Sequence, residues 1–385
     1  MTGDALLSVE DLTVEFDTTQ GTIRAIEEVT FAVHPGETVC LVGESGSGKT
    51  VAGETLTRLI PTPPGRVVDG SVTFDGQDLT AASERELRSI RGNRIAHVFQ
   101  NPQNALDPAY TVGDQVAETI ELHRDDPNAH ERAIELLDRV DLPRPATAAG
   151  KYPHELSGGV KQRVVIAAAL AADPDLLIAD EPTTALDVVT QAQILRLLAD
   201  LQAERDLSVL FVTHDLGVVS EVADRVVVVY AGRVMERGPV EDVLEDPAHP
   251  YTRALIASLP GRGESMEPLR GSFPDPVDRP DGCLFHPRCP HAVEECRETV
   301  PPEHDVLRSR YAGESATPNR SAACVYYGEN HDSAELDRGE HDPDDLDGED
   351  RATGEPDAED HDTTGPDAED HDATEIPAER EGDSP

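Results

Sequence analysis

Four short runs of the chain are almost purely aliphatic: ETVCLV (37–42), DLLIAD (175–180), LSVLFV (207–212) and RVVVVY (225–230). Apolar runs of this length without polar alternation predict strands buried on both faces, as in a parallel sheet covered by helices. Two stripes of helical period accompany them. Ala133, Leu136, Leu137 and Val140 recur at i, i+3, i+4 and i+7, and Ile194, Leu197, Leu198 and Leu201 do much the same within TQAQILRLLADLQAERD. Strands interleaved with helical stripes predict an α/β domain over residues 1–258, with a less strand-like stretch, about 101–170, as a helical subdomain inserted into it.

Beyond residue 258 the texture changes. Residues 259–328 are rich in proline, glycine and cysteine without periodicity, which predicts a small, loop-rich extension. From Glu329 to Pro385 there are 24 acidic residues against three arginines, and GEPDAEDHDTT is nearly repeated as GPDAEDHDAT. Such a segment cannot bury a core, so residues 329–385 read as a disordered acidic tail.

Charge then narrows the partners. With 77 acidic and 32 basic residues the chain carries a formal charge of −45, which opposes binding to nucleic acid or anionic lipid. Lys49, Lys151 and Lys161 are its only lysines. Compositional drift is one explanation; adaptation to a high-salt cytoplasm, where screening relieves self-repulsion, is the one favoured here. No apolar leader follows Met1, and the longest aliphatic run, VVVVY (226–230), is far too short to span a bilayer, so a cytosolic chain is expected.

The chemistry sits at the ends of the aliphatic runs. GESGSGKT (43–50) fits G-x-x-x-x-G-K-[ST] between a strand and a helical stretch. Gly43, Ser45, Gly46 and Gly48 can present backbone N–H groups to phosphates, the Lys49 ammonium can reach the β and γ oxygens, and the Thr50 hydroxyl can complete a Mg²⁺ shell. LLIADEP closes another strand with Asp180, placed to hold Mg²⁺, and Glu181, placed to polarise an attacking water. A second small-residue stretch, LSGGVKQR (156–163), also runs into a helical pattern.

Together these motifs make the first 250 or so residues resemble the ATP-binding subunit of an ABC transporter. LSGGVKQR matches the signature motif of that family, Gln100 in VFQNPQ its Q-loop, TALD (184–187) its D-loop, and His214 in FVTHD its switch histidine. The resemblance implies a P-loop NTPase fold and a head-to-tail dimer. In such a dimer Ser157, Gly158 and Gly159 of one chain, with Asp187, serve ATP held by the other chain's phosphate loop. It also implies catalysis by Glu181, His214 and Gln100, with Mg²⁺ held by Thr50, Gln100 and Asp180. Phe16 is the candidate for stacking on adenine, with an ordinary strand position as its alternative.

HPYTRALIASLP (249–260) and GCLFHPRCPHAVEEC (282–296) resemble the C-terminal region of the oligopeptide, dipeptide and nickel importer branch. The stretch NPQNALDPAY departs from that branch at Gln103, Asn104, Ala105 and Asp107. The branch implies a second, different ABC ATPase subunit, two membrane permeases and an extracellular substrate-binding protein. This chain would then lie on the cytoplasmic face of the membrane and power peptide uptake, with nickel or an oligosaccharide as other possible cargoes. A soluble ABC ATPase of repair or translation is the rival reading, opposed by the lack of a second nucleotide domain, coiled coil or basic insertion.

Cys283, Cys289, Cys296 and Cys324 are spaced C-x5-C-x6-C-x27-C. An all-thiolate set without a C-x2-C knuckle suits a [4Fe-4S] cluster ahead of zinc, with His286 and His291 as alternative zinc ligands. Cys40, in a predicted strand, reads as a small buried hydrophobe.

Overall fold

The computed structural model describes residues 5–100, 105–184, 186–259, 269, 271–306 and 320–337. In chain order its strands are β1 (Leu7–Thr18), β2 (Gly21–Val33), β3 (Thr38–Val42), β4 (Gly65–Phe74), β5 (Gln77–Asp78), β6 (Ile95–Val98), β7 (Leu176–Asp180), β8 (Ser208–Thr213), β9 (Arg225–Tyr230), β10 (Arg233–Pro239), β11 (His304–Asp305) and β12 (Ser321–Ala322). Among the described residues they form a four-stranded sheet, β2-β1-β4-β5, and an eight-stranded sheet, β11-β12-β10-β9-β3-β8-β7-β6.

The four aliphatic runs are neighbouring parallel strands at the centre of the larger sheet, in the order β9-β3-β8-β7. Both their faces are buried, and alternate residues enter different cores. Cys40, Leu177, Ala179, Phe211 and Val228 pack toward the helices, whereas Leu41, Ile178, Leu210 and Val227 pack toward the smaller sheet. Two-sided burial removes the polar alternation that a half-exposed strand would show. Cys40 is the small buried residue expected.

Helices Val112–His123, Ala129–Arg139, Pro145–Ala149 and Gly158–Ala169 fill the stretch between β6 and β7. Ala133, Leu136, Leu137 and Val140 are all buried there, Val140 just past the end of its helix. The stripe Ile194, Leu197, Leu198 and Leu201 is buried along helix Val188–Arg205.

The extension is tied into the same sheet. β12 pairs antiparallel with β10, and β11 with β12. Beneath this pairing the carboxylate of Glu236, which is fully buried, accepts from Arg320 (2.8 Å) and from the backbone N–H groups of Ala248 and His249 (2.9 Å each). Such a charge is tolerable in a core because every lone pair direction meets a donor.

Order also reaches further than acidity predicts. Ser333–Asp337 forms a 3₁₀ turn, Leu336 is buried, and its carbonyl accepts from Arg253 at 3.2 Å. One leucine among acids suffices to dock this segment, so residues 329–337 depart from the expected disorder; the rest of the acidic tail lies outside the described residues.

Candidate nucleotide site

The phosphate loop, Gln100, Asp180, Glu181 and His214 gather at the carboxyl ends of the parallel strands, where open α/β sheets bind ligands. β3 leads into the glycine-rich loop, β6 into Gln100, β7 ends on Asp180 and is followed by Glu181, and β8 is followed by His214. Between them lies a cavity of about 270 Å³ lined by Ser45, Gly46, Gly48, Lys49, Thr50, Gln100 and Glu181.

The loop's shape depends on absent side chains. At Gly48 the backbone has φ +97°, and a Cβ would stand 2.4 Å from the Ala25 carbonyl; at Gly43 it would stand 2.0 Å from that of Val229. Only glycine fits either position. Helix Lys49–Thr55 starts directly after this loop. The buried Lys49 ammonium donates to the Gly43 and Glu44 carbonyls at 2.8 Å each and to Ser47 Oγ at 3.3 Å. Burial lowers its pKa, partly opposed by Glu181, Asp180 and Glu44. An incoming phosphate would replace those carbonyls with a full negative charge.

Asp180 offers a metal-binding oxygen. Its Oδ1 is buried without a hydrogen-bond partner, and the Thr50 hydroxyl bonds the same carboxyl group. Burial pushes this carboxyl upward, with adjacent Glu181 adding to the shift, while Thr50 and Lys49 oppose it. An orphan oxygen beside a hydroxyl at the phosphate loop fits hard, oxygen-loving Mg²⁺.

Glu181 gathers three partners. Its Oε2 accepts from Gln100 Nε2 at 2.7 Å and Thr184 Oγ1 at 2.9 Å, and its Oε1 lies 2.9 Å from His214 Nδ1. Burial works to raise this carboxyl, but the bonds from His214, Thr184 and Gln100 outweigh it and hold the pKa below the usual value. The group therefore remains a carboxylate, able to accept a proton from water. Thr184 stands three residues after Glu181, the reach of a turn, and that spacing is the signal sequence reasoning passed over.

The signature residues point elsewhere. Ser157 and Gly158 are exposed, and none of Ser157, Gly158 and Gly159 lines the cavity. Ser157 stands at the N-cap of helix Gly158–Ala169 without making a side-chain cap bond. Asp187 does not line the cavity either. Its carboxylate caps helix Val188–Arg205, accepting from Val189 N (3.1 Å), Thr190 N (3.0 Å) and Thr190 Oγ1 (2.7 Å). Thr190 also packs on the signature, where a Cβ at Gly159 would come within 2.5 Å of its Cγ2. Phe16 is half-buried on β1, packs against the core between the sheets, and is absent from the cavity lining, whose aromatic member is Phe273.

The extension and the helix before it grip the phosphate loop through residues that sequence reasoning did not single out. Arg288 forms a two-pronged ion pair with Glu44 (2.7 and 3.2 Å), and the Tyr251 hydroxyl accepts from Glu44 N at 2.9 Å. This explains the HPY triplet physically. His249 Nδ1 accepts from Tyr251 N at 3.0 Å as the N-cap, Pro250 starts the helix, and Tyr251 reaches the loop. Full burial lowers the His249 pKa to about 3, so the ring is neutral and keeps its accepting nitrogen.

Cys283, Cys289, Cys296 and Cys324 are all buried in the core shared with the ATPase domain. Burial raises every one of these thiols, Cys283 to about 11 and Cys324 to about 12, and neighbouring sulfurs add to the rise at Cys283, Cys289 and Cys324. Among the described residues no group of three or more His, Cys, Asp or Glu is placed to hold a metal ion. The ring of His286 instead bonds the Cys283 carbonyl at 2.9 Å. This arrangement therefore offers a ready ligand set to neither the zinc ion nor the iron–sulfur cluster expected from the cysteine spacing.

No helix among the described residues is long and apolar enough to cross a membrane. Residues 26–184 match the ABC transporter family, and residues 235–296 match the C-terminal region of oligopeptide/dipeptide transporters. The chain is 46% identical over 312 residues to the oligopeptide transport ATP-binding protein OppD of Bacillus subtilis (strain 168), covering 80% of this chain and 87% of that one. It is also 46% identical over 302 residues to the dipeptide transport ATP-binding protein DppD of Escherichia coli (strain K12), covering 77% and 92%. The solved dimeric structure of the ATP-binding cassette MJ0796 bound to ADP and Pi superposes with a TM-score of 0.55 at 30% identity, over 61% of this chain and 98% of that one. The chain belongs to the ATP-binding subunits of ABC transporters, in the oligopeptide/dipeptide transporter family.

Proposed function

We propose that this chain hydrolyses ATP to energise the import of peptides. The observation that carries the reading is the convergence of Gln100, Thr184 and His214 on the Glu181 carboxylate beside Lys49, Thr50 and Asp180. Glu181 takes the proton of the attacking water, His214 and Gln100 orient it, Lys49 and the loop N–H groups hold the phosphates, and Thr50, Asp180 and Gln100 would hold a Mg²⁺ ion that offsets phosphate charge. The exposure of Ser157 and Gly158, and the absence of Ser157, Gly158 and Gly159 from the lining of this chain's own cavity, support a role on ATP bound by a second ABC ATPase subunit, a different chain in this reading. Peptide as the cargo is supported by the names of the relatives. Two permeases, an extracellular substrate-binding protein and a position on the cytoplasmic face of the membrane complete the proposed importer.

A [4Fe-4S] cluster held by Cys283, Cys289, Cys296 and Cys324 belongs to the proposal. It is supported by four buried thiols, none in a disulfide, that lie in one core. When bound, such a cluster would staple a loop-rich extension that has little apolar mass of its own. The acidic, lysine-poor composition supports a high-salt cytoplasm. The deciding experiment is gentle affinity purification from native membranes in molar salt, followed by mass spectrometry. Recovery of two polytopic permeases and a second ATPase is expected; recovery from the soluble fraction with ribosomal or repair proteins would overturn the transport reading.

A further inference from the structure

The nucleotide cavity is not walled by the ATPase domain alone. Phe273, Pro274, Pro276 and Arg279 come from the extension, yet they line the same cavity as the phosphate loop. They are fixed there by contacts on both sides. Arg279 donates to the Ala231 carbonyl at 2.9 Å and pairs with Glu27 at 3.1 Å. Val277 packs so closely on Gly21 that a Cβ there would lie 2.9 Å from its methyl. The Phe273 ring tilts against Tyr230 at 5.1 Å between centroids, and Tyr230 in turn meets Phe285, two residues from Cys283, at 5.3 Å.

The phosphates of a nucleotide are claimed by residues 43–50, so its base and ribose must occupy the remaining part of the cavity. Besides the loop, the lining is made of Ile23, Arg24 and Ala25 on one strand and of the 273–279 arm, whose Phe273 Cε1 also lies 4.0 Å from where a Cβ on Gly46 would stand. An aromatic ring followed by two prolines in the same cavity lining offers an apolar surface suited to a purine. We propose that Phe273, with Pro274 and Pro276, is a wall of the base and ribose pocket supplied in cis by the Cys-rich extension, so that the extension helps to set nucleotide affinity. The proposal rests on the assignment of the phosphate loop to ATP.

The test is equilibrium binding of ATP and of inorganic tripolyphosphate to the full chain and its variants in molar salt. Tripolyphosphate reads the phosphate loop without a base. Phe273→Ala is expected to weaken ATP by about five- to tenfold, the low end of base–aromatic stacking for a half-exposed ring, and to leave tripolyphosphate unchanged. Should Phe273→Ala fail to fold, Phe273→Leu keeps apolar bulk against Tyr230 while removing the aromatic face, and the same comparison applies. Unchanged ATP affinity, or equal weakening of both ligands, would overturn the wall. Lys49→Ala separates the two levels of the argument: it should weaken both ligands, and unchanged binding there would remove the phosphate-loop assignment itself.

Discussion

His214 Nδ1 stands 2.9 Å from Glu181 Oε1, joining the ends of two parallel strands through one carboxylate. Removing the imidazole removes one of the bonds that hold the Glu181 pKa down. In His214→Ala the acid limb of the ATPase pH profile should therefore move to higher pH, since protonated Glu181 cannot act as a base. Turnover near neutrality should fall by about a hundredfold or more. A pH profile of phosphate release from the assembled ATPase checks both, and an unmoved acid limb would separate His214 from Glu181.

Glu181→Gln keeps the shape of the side chain and its bonding reach but removes the base. ATP binding should persist, a closed ATPase dimer should accumulate, and turnover should drop by about two to four orders of magnitude. Single-turnover hydrolysis with parallel sizing of the ATP-bound species tests this, and wild-type turnover would rule the role out.

Asp180 presents a conflict between stability and function. Burial raises its pKa, so ionising this carboxyl costs more in the folded chain than in the unfolded one, and stability should rise as pH falls through that raised value toward the ordinary aspartate range. Asp180→Asn should raise the melting temperature of the nucleotide-free chain at neutral pH, yet lower Mg²⁺-dependent turnover by about a hundredfold or more. Paired melting curves and Mg²⁺ titrations decide it; a lower melting temperature would contradict the desolvation argument.

Gly159→Ala would push a methyl to within 2.5 Å of Thr190 Cγ2. The expected cost is about 1–3 kcal/mol at the start of the signature helix. Turnover should suffer while ATP affinity of the isolated chain does not, because neither residue lines its cavity. Thr190→Ser in the same chain removes the offending methyl and should restore activity.

Anaerobically purified chain should carry iron and sulfide and absorb in the visible, and Cys296→Ser should lose both. Stoichiometric zinc would favour the alternative centre, and metal-free protein with four titratable thiols would end the cluster reading.

Much of this architecture could be read without coordinates. Leu41, Ile178, Leu210 and Val227 announced buried strands because two-sided burial leaves an uninterrupted apolar run, and the observed strands begin within one residue of the predicted runs. The cavity followed from Gly48, Lys49 and Glu181 because phosphate chemistry fixes both residue type and spacing. What escaped was the meeting of the extension with the loop. Glu44 and Arg288 are 244 positions apart, and nothing local to either records the other. Phe273 shows the same limit: an isolated aromatic among prolines has no period to betray its neighbours, whereas Phe16 carried a family expectation and packs outside the cavity lining.

The pairing of β12 with β10 has a consequence for how this protein can be cut. A chain ended at residue 258 would expose the hydrogen-bonding rim of β10, a template on which another copy could zip. It would also strand the Glu236 carboxylate without its guanidinium, a defect of about 3–5 kcal/mol when one half of a buried pair is lost. The ATPase core therefore has no clean severing point before Arg320, and a shortened version would be a sticky, weakened fragment.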